Sequence, residues 1–465
     1  MPSNPSIPSS GESPPQNARE LAFDVLCRGP QPGLYAAQQI ERACSQAQLA
    51  VIERRLAHEL VHGVIRRQAT LDALMRPNVA RPLAALEPPL RCLLQLGAYQ
   101  LALLSGVPVH AAVHETVNVA KRRGHPRWAG FVNGVLRSLS RMLTAETSPQ
   151  PAACAVPIGL GVYRVLKSAV FADPAHDPLG YVASAFSLPR WVVERWRLRF
   201  DVAEIIRIGF WFNAVGPLTL RCNRLRIDRD QLLAACAGAG IAARPGARSE
   251  AVTIGQHARI EDLPGFAAGW FAVQDESAMS AAALLAPQPG ERVLDLCAAP
   301  GGKTTHLAEL MLNQGSILAT DVSAERLARV AESAARLGLD IIEPRLVARD
   351  GSDIPLGPFD AVLVDAPCSN TGVLGKRPEA RWRLKRADFQ ELPELQRRLV
   401  EAAADRLVCG GRLVYSTCSI DDAENERVVL AVLAARPQLE LVESRGHIPG
   451  QPGDGGYQAL LRHKG

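Results

Sequence analysis

The spacing of apolar residues changes along the chain and divides it into two kinds of structure. Across residues 18–143 apolar positions recur three and four apart, as in 56–65, which is the helical period. From about residue 274 short apolar runs alternate with amphipathic segments. This alternation is typical of a doubly wound, mainly parallel sheet. The pattern therefore predicts an all-α N-terminal part and an α/β C-terminal part.

Nine elements are predicted in the C-terminal part. Strands are expected at 292–296, 316–320, 345–348, 361–364 and 412–417, and helices at 303–312, 324–337, 393–408 and 422–435. The helix at 324–337 has one apolar stripe and is followed by Gly338, a common helix terminator. In such sheets ligands bind beyond the carboxyl ends of the strands.

The middle of the chain is less regular. Residues 145–180 are rich in Ala, Pro and Gly, which predicts a linker. Residues 181–273 predict a small α+β module that binds RNA. In it Arg221, Asn223 and Arg224 suit either contacts to a phosphate backbone or an exposed strand edge. The predicted organisation is a disordered tail (1–16), a helical domain (17–144), the linker (145–180), the small module (181–273) and the α/β domain (274–465).

Composition narrows the class of protein. The chain has 465 residues, 47% hydrophobic and 21% charged, with a net charge of +5, as in globular proteins with several domains. Its ten cysteines form no C-x-x-C pair, so we expect reduced thiols, no metal site and a cytoplasmic location. No apolar run is long enough for a membrane span, and we expect a monomer. Basic residues at 121–123, 127, 137 and 141 fit a polyanionic partner or a solvated surface.

The stretch 292–304, RVLDLCAAPGGKT, holds the most informative chemistry. An apolar run ends in an acid, a glycine turn follows, and a helix begins, so backbone N–H groups meet a ligand at the helix N-terminus. Cys297 occupies the place of the first glycine of a phosphate loop, which breaks that motif, and G-x-G-x-x-G is absent. An acid before a glycine turn instead suits a ligand with hydroxyls and an amine, such as S-adenosylmethionine. An ordinary strand-to-helix turn is the alternative.

Acids and thiols recur where the predicted strands end. Asp321 and Asp350 follow the second and third strands, placed for ribose hydroxyls and an adenine amine, respectively. Asp365 and Cys368 follow the fourth, and Cys418 follows the fifth. A single carboxylate at a strand end is a common helix cap. Several on one rim, together with two cysteines, predict a nucleoside pocket beside a thiol site.

These motifs carry a resemblance to a known family. Residues 295–304 (DLCAAPGGKT), 365–369 (DAPCS) and 417–419 (TCS) resemble the signature motifs of RNA cytosine-5 methyltransferases. Residues 107–117 and 131–136 resemble the NusB-like helical RNA-binding domain. Together they are similar to the RsmB (Sun, Fmu) family, which modifies 16S ribosomal RNA. The resemblance covers nearly all of residues 18–465.

The resemblance implies a fold, an activity and roles for individual residues. The fold is a NusB-like domain, a small α+β module and a Rossmann-like class I methyltransferase domain. The activity is methyl transfer from S-adenosylmethionine to C5 of a cytosine in 16S ribosomal RNA or a small-subunit assembly intermediate. Cys418 is then the nucleophile, Cys368 acts in product release and Asp365 contacts the base. The implied cofactor residues are Cys297, Ala298, Ala299, Pro300, Gly301, Gly302, Lys303, Asp321, Asp350 and Asp365.

Two segments depart from the family pattern. Residues 375–382 read GKRPEARW, with Glu379 where the family has Asp, and residues 453–457 read GDGGY. We expect both segments to face RNA, and the basic residues of 376–386 to contact phosphates.

Three other functions are compatible with parts of the sequence. A P-loop ATPase is suggested by the strand ending at Asp365, but the absence of the first glycine of the motif and the presence of the paired cysteines argue against it. A non-catalytic RNA-binding or antitermination protein would explain the helical domain alone. A DNA cytosine methyltransferase would use Cys368 as nucleophile and leave Cys418 unexplained.

Overall fold

The computed structural model describes residues 14–29, 35–255, 259–348 and 353–464. The chain forms two compact units. Unit 1 consists of Met1–Ala214 together with Arg377–Trp382, and unit 2 consists of Val215–Lys376 and Arg383–Gly465. The predicted tail lies mostly outside the described residues.

Unit 1 begins with six helices. They are α1 (Ala18–Arg28), α2 (Ala36–Ala47), α3 (Val51–Met75), α4 (Pro88–Ala102), α5 (Val109–Arg122) and α6 (Ala129–Met142). The side chain of Asn17 accepts from two backbone N–H groups and so starts α1. The core of this bundle is formed by α4, where Leu93, Leu94 and Leu96 are fully buried. Gly63 on α3 lets Tyr99 of α4 approach, because a Cβ there would lie 2.1 Å from the ring.

The prediction of a linker at 145–180 is wrong. The structure places there most of a three-stranded antiparallel sheet in the order β1-β3-β2, made of β1 (Leu143–Ser148), β2 (Ala155–Gly159) and β3 (Val162–Leu166). Ala155, Val156, Tyr163 and Leu166 are buried, and because neighbouring residues of a strand point to opposite sides, both faces of the sheet are partly covered. Its glycines and prolines form the turns and bulges of short strands.

Three further helices complete unit 1. They are α7 (Pro178–Ala185), α8 (Arg190–Trp196) and α9 (Val202–Asn213). The sequence assigned these residues to the small module, but they belong to the compact unit that contains the helical bundle.

The segment Arg377–Trp382 is packed within unit 1. The guanidinium of Arg381 is fully buried and donates to the backbone carbonyls of Arg66, Ser187 and Phe212 at 2.9, 3.1 and 3.2 Å. Arg381 therefore does not contact RNA phosphates as the sequence predicted, because its donors hold helix and loop carbonyls instead.

Unit 2 begins with a small four-stranded sheet. Its elements are β4 (Leu218–Cys222), α10 (Arg229–Gly238), β5 (Ala243–Pro245), β6 (Ala251–Ile254) and β7 (Phe271–Val273), with strand order β5-β6-β4-β7. Arg221 lies on the inner strand β4 and Asn223 directly follows it, and both side chains are fully buried. Neither of their two predicted positions, on RNA or at an exposed edge, is correct.

The rest of unit 2 is built on a seven-stranded sheet with order β10-β9-β8-β11-β12-β14-β13. Its elements are α11 (Glu276–Leu285), β8 (Arg292–Leu296), α12 (Gly302–Leu310), β9 (Ser316–Asp321), α13 (Ala324–Leu337), β10 (Ile342–Leu346), β11 (Phe359–Asp365), α15 (Asp388–Ala404), β12 (Leu407–Thr417), α16 (Glu426–Ala435), β13 (Leu439–His447) and β14 (Gly456–His463). The short helix α14 (Ala380–Arg383) belongs, except for its last residue, to unit 1. Strands β10, β9, β8, β11 and β12 are parallel; β14 pairs antiparallel with β12, and β13 pairs antiparallel with β14. The strand order changes direction at β8, so the ligand crevice is expected at its carboxyl end.

Candidate active site

The turn after β8 presents a helix N-terminus at the carboxyl edge of the large sheet. Gly301 has a φ of 101°. A Cβ on it would lie 3.1 Å from Val330 Cα, whereas a Cβ on Gly302 would meet nothing within 4 Å. The turn is therefore packed tightly on one side and open on the other. Since the first N–H groups of a helix have no intrahelical partner, the open side can bind a ligand.

The residues before the glycines shape this turn. Ala298 N donates to Thr320 O at 2.8 Å, and Ala299 N donates to Asp321 Oδ2 at 3.3 Å, so the turn is tied to β9. Cys297 has a φ of 66°. Burial, followed by three nearby carboxylates, raises the pKa of its thiol, so Cys297 is a neutral group that shapes the turn rather than a nucleophile.

Asp295 lies inside β8, below the turn. Thr304 Oγ1 donates to its Oδ2 at 2.6 Å, while its buried Oδ1 has no hydrogen-bond partner among the described residues. Burial raises the pKa of Asp295 to about 7, because a charge in a low-dielectric interior is disfavoured. The acid that the sequence placed at the end of the first strand is thus an interior group one residue before that end.

Asp321 ends β9 and is nearly fully buried. Its Oδ1 accepts from Ser323 N at 3.1 Å and from Arg326 Nη1 at 3.3 Å. The carboxylate is thereby held beside the glycine turn, where it retains lone pairs for a ligand hydroxyl. Asp350, the predicted adenine contact, lies outside the described residues.

Lys303 and Asp365 form an ion pair between the glycine turn and the end of β11. Lys303 Nζ lies 2.7 Å from Asp365 Oδ1, and both side chains are largely withdrawn from solvent. Burial lowers the pKa of the Lys303 amine, but the carboxylate of Asp365 outweighs burial, so the net effect is a raised pKa. Cys418 adds to this upward shift. The sequence predicted both residues in the pocket, and the structure brings them together.

The two predicted thiols lie side by side. Cys368 Sγ and Cys418 Sγ are 3.1 Å apart, and Asn370 Oδ1 is 3.4 Å from Cys418 Sγ. The strands β11 and β12 are parallel neighbours with Asp365 opposite Ser416, so the loops that follow them meet. The hydrogen bond to Cys418, followed by burial, raises the pKa of Cys368 well above its ordinary value.

A buried glutamate that the sequence analysis missed ties the two thiol loops together. Glu424 Oε1 accepts from Ser369 N at 2.8 Å and from Gln396 Nε2 at 3.1 Å. Its Oε2 accepts from Ser419 Oγ at 2.5 Å and from the hydroxyl of Ser369. Ser369 follows Cys368 and Ser419 follows Cys418, so one carboxylate fixes both loops. The run of acids at 421–426 was a signal, but it was interpreted only as a helix start.

The backbones of these loops are also joined. Gly372 N donates to Cys418 O at 2.9 Å, and Gly455 N donates to Gly372 O at 2.8 Å. Ile420 N donates to Thr371 Oγ1 at 3.1 Å. The thiols therefore lie on a connected framework of hydrogen bonds, which limits their relative movement.

The two segments that depart from the family pattern contact each other. Lys376 Nζ lies 2.6 Å from Asp275 Oδ2 and 2.9 Å from Asp454 Oδ2. These two carboxylates outweigh burial and raise the pKa of Lys376. A Cβ on Gly453 would lie 2.6 Å from Asp275 Oδ1 and would displace that carboxylate. Lys376, which the sequence predicted to contact RNA, has its ammonium group engaged in this ion-pair triad.

The described part of the chain lacks two kinds of feature. No group of three His, Cys, Asp or Glu side chains there is arranged to hold a metal ion. No helix in the same residues combines the length and apolar character of a membrane span.

A mainly parallel sheet with a glycine turn at its switch point and an acid ending the next strand is the architecture of an S-adenosylmethionine-dependent methyltransferase. The family model of the 16S rRNA methyltransferases RsmB/F matches residues 282–459. The NusB family matches 16–141, and the RsmF/B-like ferredoxin-like domain matches 188–261. The chain belongs to the family of small-subunit ribosomal RNA methyltransferases B, which confirms the predicted family and fold class.

Relatives cover most of the chain. A probable ribosomal RNA small subunit methyltransferase B from Synechocystis is 37% identical over 88% of this chain and 87% of its own length. One from Bacillus subtilis is 34% identical over 91% and 90%. The crystal structure of PH0851 is 25% identical with a TM-score of 0.76, covering 97% of this chain and all of that one.

Proposed function

We propose that this protein transfers a methyl group from S-adenosylmethionine to C5 of a cytosine in 16S ribosomal RNA, through a covalent bond between Cys418 and C6. The observation that carries this proposal is the pair of thiols 3.1 Å apart at the ends of β11 and β12. C5 of cytosine is a poor nucleophile until a thiolate adds to C6, so this reaction needs a protein nucleophile. Methylation of an RNA hydroxyl or amine would leave both thiols without a role.

The open side of the glycine turn fits S-adenosylmethionine. We assign residues 297–303 to its methionine end and Asp321 to its ribose, since that carboxylate is fixed beside the turn. Asp350 is assigned to the adenine by its place after β10. When bound, the cofactor supplies an electrophilic methyl group on its sulfonium.

The ionisation of the thiol pair supports Cys418 as the nucleophile. The hydrogen bond to Cys418, followed by burial, raises the pKa of Cys368, so this thiol keeps its proton. In the proposed reaction the thiolate of Cys418 adds to C6. The positive charge of Lys303 nearby favours a thiolate at this position.

Asp365 is assigned to the N3–N4 edge of the cytosine. Its Oδ1 is held by Lys303, and its side chain is one-third exposed. The carboxylate can therefore accept a hydrogen bond from the exocyclic amine and stabilise the ring when it is protonated at N3.

Product release requires removal of the C5 proton and cleavage of the bond between Cys418 Sγ and C6. The C5 proton passes to a base, either Cys368 after it has given its own proton to the departing sulfur or a nearby group. The electron pair from the C5–H bond restores the double bond between C5 and C6, and Cys418 leaves as a thiol in the first case and as a thiolate in the second. Cys368 is placed to act at this step, because its sulfur is next to the leaving sulfur.

The RNA is assigned to the whole chain rather than to the α/β domain alone. The NusB-like helices at 17–144 and the module at 181–273 would position the RNA, and residues 274–465 would carry out the chemistry. The target base must be unpaired or flipped out to reach the thiols. Either free 16S RNA or a small-subunit assembly intermediate in the cytoplasm fits this requirement.

Bisulfite sequencing of 16S RNA from a deletion strain tests the proposal. One 5-methylcytosine should be lost, and it should return with the intact gene but not with the Cys418→Ala gene. If all 5-methylcytosines persist in the deletion strain, the proposed reaction is wrong. If methylation returns with Cys418→Ala, the reaction stands but the assigned nucleophile does not.

A further inference from the structure

Strand β4 of the small sheet carries an arginine that reaches the cofactor turn. The side chain of Arg221 is fully buried. Its Nη1 donates to Gly302 O at 2.7 Å, its Nη2 donates to Thr305 Oγ1 at 3.0 Å, and the same nitrogen lies 2.8 Å from Glu309 Oε1. All three partners belong to α12, the helix that begins at the glycine turn.

The hydroxyl of Thr305 extends this contact into the turn itself. Thr305 Oγ1 donates to Gly301 O at 2.9 Å while it accepts from Arg221. Gly301 is the residue whose positive φ directs the chain into α12. The guanidinium therefore holds the first turn of α12 at two points, the carbonyl of Gly302 and the hydroxyl of Thr305.

Burying the charge of Arg221 costs free energy, and a contribution to stability alone does not explain why a charged residue is present here. Glu309 is buried with it, and a buried ion pair contributes little net stability compared with apolar residues of the same size. A planar guanidinium, however, fixes several acceptors in one rigid geometry. Orientation of the helix start is the property that this arrangement provides.

We propose that Arg221 is a positioning residue for S-adenosylmethionine. By holding the first turn of α12, it orients the N–H groups of the glycine turn toward the cofactor. The small sheet module is then a structural part of the cofactor site, in addition to any contact that it makes with RNA. This inference rests on the proposed assignment of the glycine turn to the cofactor.

The residue directly after β4 offers a matched control. Asn223 is fully buried, and its Nδ2 donates to Gly269 O and to Leu337 O, each at 3.0 Å. Leu337 is the last residue of α13, at the end of that helix away from the carboxyl edge of the sheet. Asn223→Ala therefore weakens the packing of the module without touching the cofactor turn.

Titration calorimetry of the full-length chain with S-adenosylmethionine tests the proposal. Arg221→Lys keeps the charge but loses the fork, and Thr305→Val removes only the hydroxyl. Each should raise the dissociation constant about tenfold. Thr305→Ser, which restores the hydroxyl, should bind within about twofold of wild type, and so should Asn223→Ala despite a lower melting temperature.

Steady-state kinetics provide a second measurement. If Arg221 had a purely structural role, its substitution would not change KM for S-adenosylmethionine selectively. Arg221→Lys should raise KM for S-adenosylmethionine about tenfold, with kcat at saturating cofactor and KM for RNA near wild type. If Arg221→Lys does not fold, the Thr305 pair decides. Unchanged cofactor affinity in Thr305→Val, or an equal loss in Asn223→Ala, would overturn the role of Arg221.

Asp321→Ala separates this inference from the assignment on which it rests. It should weaken cofactor binding about tenfold, since it removes the ribose partner. If Asp321→Ala binds normally, the assigned cofactor site is wrong. If Asp321→Ala binds weakly while Arg221→Lys and Thr305→Val bind normally, the site stands and only the role of Arg221 fails.

Discussion

In the folded chain Asp295 and Cys368 keep their protons up to a higher pH than the same groups do in water, because the pKa of each is raised. Burial is the main cause for Asp295, and the hydrogen bond to Cys418 is the main cause for Cys368. Both groups lie near the carboxyl edge of the large sheet, Asp295 below the glycine turn and Cys368 in the loop after β11. The residues of the site are therefore distinguished by their protonation as well as by their positions.

Asp295 should make the stability of the protein fall as pH rises. Folding raises its pKa from 3.8 to about 7, so between these values the folded chain binds a proton that the unfolded chain has lost. The free energy of unfolding then decreases with rising pH, by about 4 kcal/mol across the window. Asp295→Asn should lack this decrease. Denaturant titrations of both proteins at several pH values measure the difference, and parallel curves would contradict the assignment.

The two cysteines should separate into distinct steps. Cys418→Ala should abolish methylation and form no covalent RNA adduct, because no thiolate reaches C6. Cys368→Ala should still add to the base and transfer the methyl group, then stall before release. Denaturing gel electrophoresis after incubation with RNA and S-adenosylmethionine should show a protein–RNA band only for Cys368→Ala.

The opposite pattern would reassign the nucleophile. A covalent band in Cys418→Ala and none in Cys368→Ala would move the first step to Cys368, as in the DNA-type mechanism. Cys409→Ala is a suitable control, because that cysteine is exposed at the start of β12, at the far end of the strand from Cys418.

Sequence motifs located the thiols and the cofactor turn, but not their supporting residues. The two cysteines and Asp365 fall in short motifs at the ends of apolar runs, where local pattern is informative. Glu424 and Arg221 act through partners 55 and 88 residues away in the chain. Such pairings depend on which strands become neighbours, and local periodicity carries no information about that.

At the scale of elements, the site depends on two loops held by one short turn. Glu424 lies in a turn of 3-10 helix at Asp422–Glu424, just before α16. This turn closes over the ends of β11 and β12 through Ser369 and Ser419. The distance between the thiols is thus set by the position of this turn as well as by the strands.

Glu424→Ala should misplace both thiols. It removes a carboxylate that four donors share, and those donors are buried, so we expect a loss of on the order of 3 kcal/mol in stability. Among folded molecules kcat should fall strongly while cofactor affinity stays near wild type, since the glycine turn is untouched. Melting curves, calorimetry and single-turnover rates at low temperature measure these three effects.

Asp422→Ala is the matched control for this change. Asp422 lies in the same turn, but its carboxylate pairs at the surface with Arg427, and exposed pairs of this kind contribute little. If Asp422→Ala lowers kcat as much as Glu424→Ala does, the effect belongs to the turn in general and not to the buried carboxylate.

The accuracy of element prediction followed burial. The helix with a clear apolar stripe was predicted at 324–337, and α13 spans Ala324–Leu337. The edge strand was expected at 345–348 but is found at Ile342–Leu346, where most side chains are exposed and alternation is weak. Helix α15 begins at Asp388 instead of residue 393, because Pro393 was taken as the start of the helix but lies within it. Strands β13 and β14 were missed.

At the scale of the whole molecule, composition was misleading in one region. Residues 145–180 have the Pro and Gly content of a linker, yet most of a buried three-stranded sheet forms there. Segment Arg377–Trp382 shows a related limit, because a loop rich in basic residues was assigned to RNA although Arg381 holds backbone carbonyls in unit 1. Charge and flexibility in a sequence do not reveal whether a partner is RNA or the protein itself.

The predicted basic cluster of the helical bundle in unit 1 contains both buried and exposed side chains. Arg123 is buried in an ion pair with Asp24, so it cannot contact RNA. Arg122 is exposed but paired with the buried carboxylate of Glu20. The other four basic side chains of the predicted cluster are also exposed: Lys121, Arg127, Arg137 and Arg141. They lie on α5, on α6 and in the connection between these helices. This exposed set is the surface to which RNA binding by the bundle is assigned.

A fragment of residues 18–143 should fold alone and bind RNA in a salt-dependent way. Each phosphate contact to single-stranded RNA contributes about 0.7 to the slope of log K against log salt, so four contacts predict a slope of about −3. Lys121→Glu with Arg137→Glu should weaken binding and reduce the slope by about half. Arg42→Glu, an exposed change on α2 outside the cluster, should affect binding less. Filter-binding titrations at several salt concentrations measure the slope. Equal binding in low and high salt, no binding, or an equal effect of Arg42→Glu would mean that the cluster is only a solvated surface.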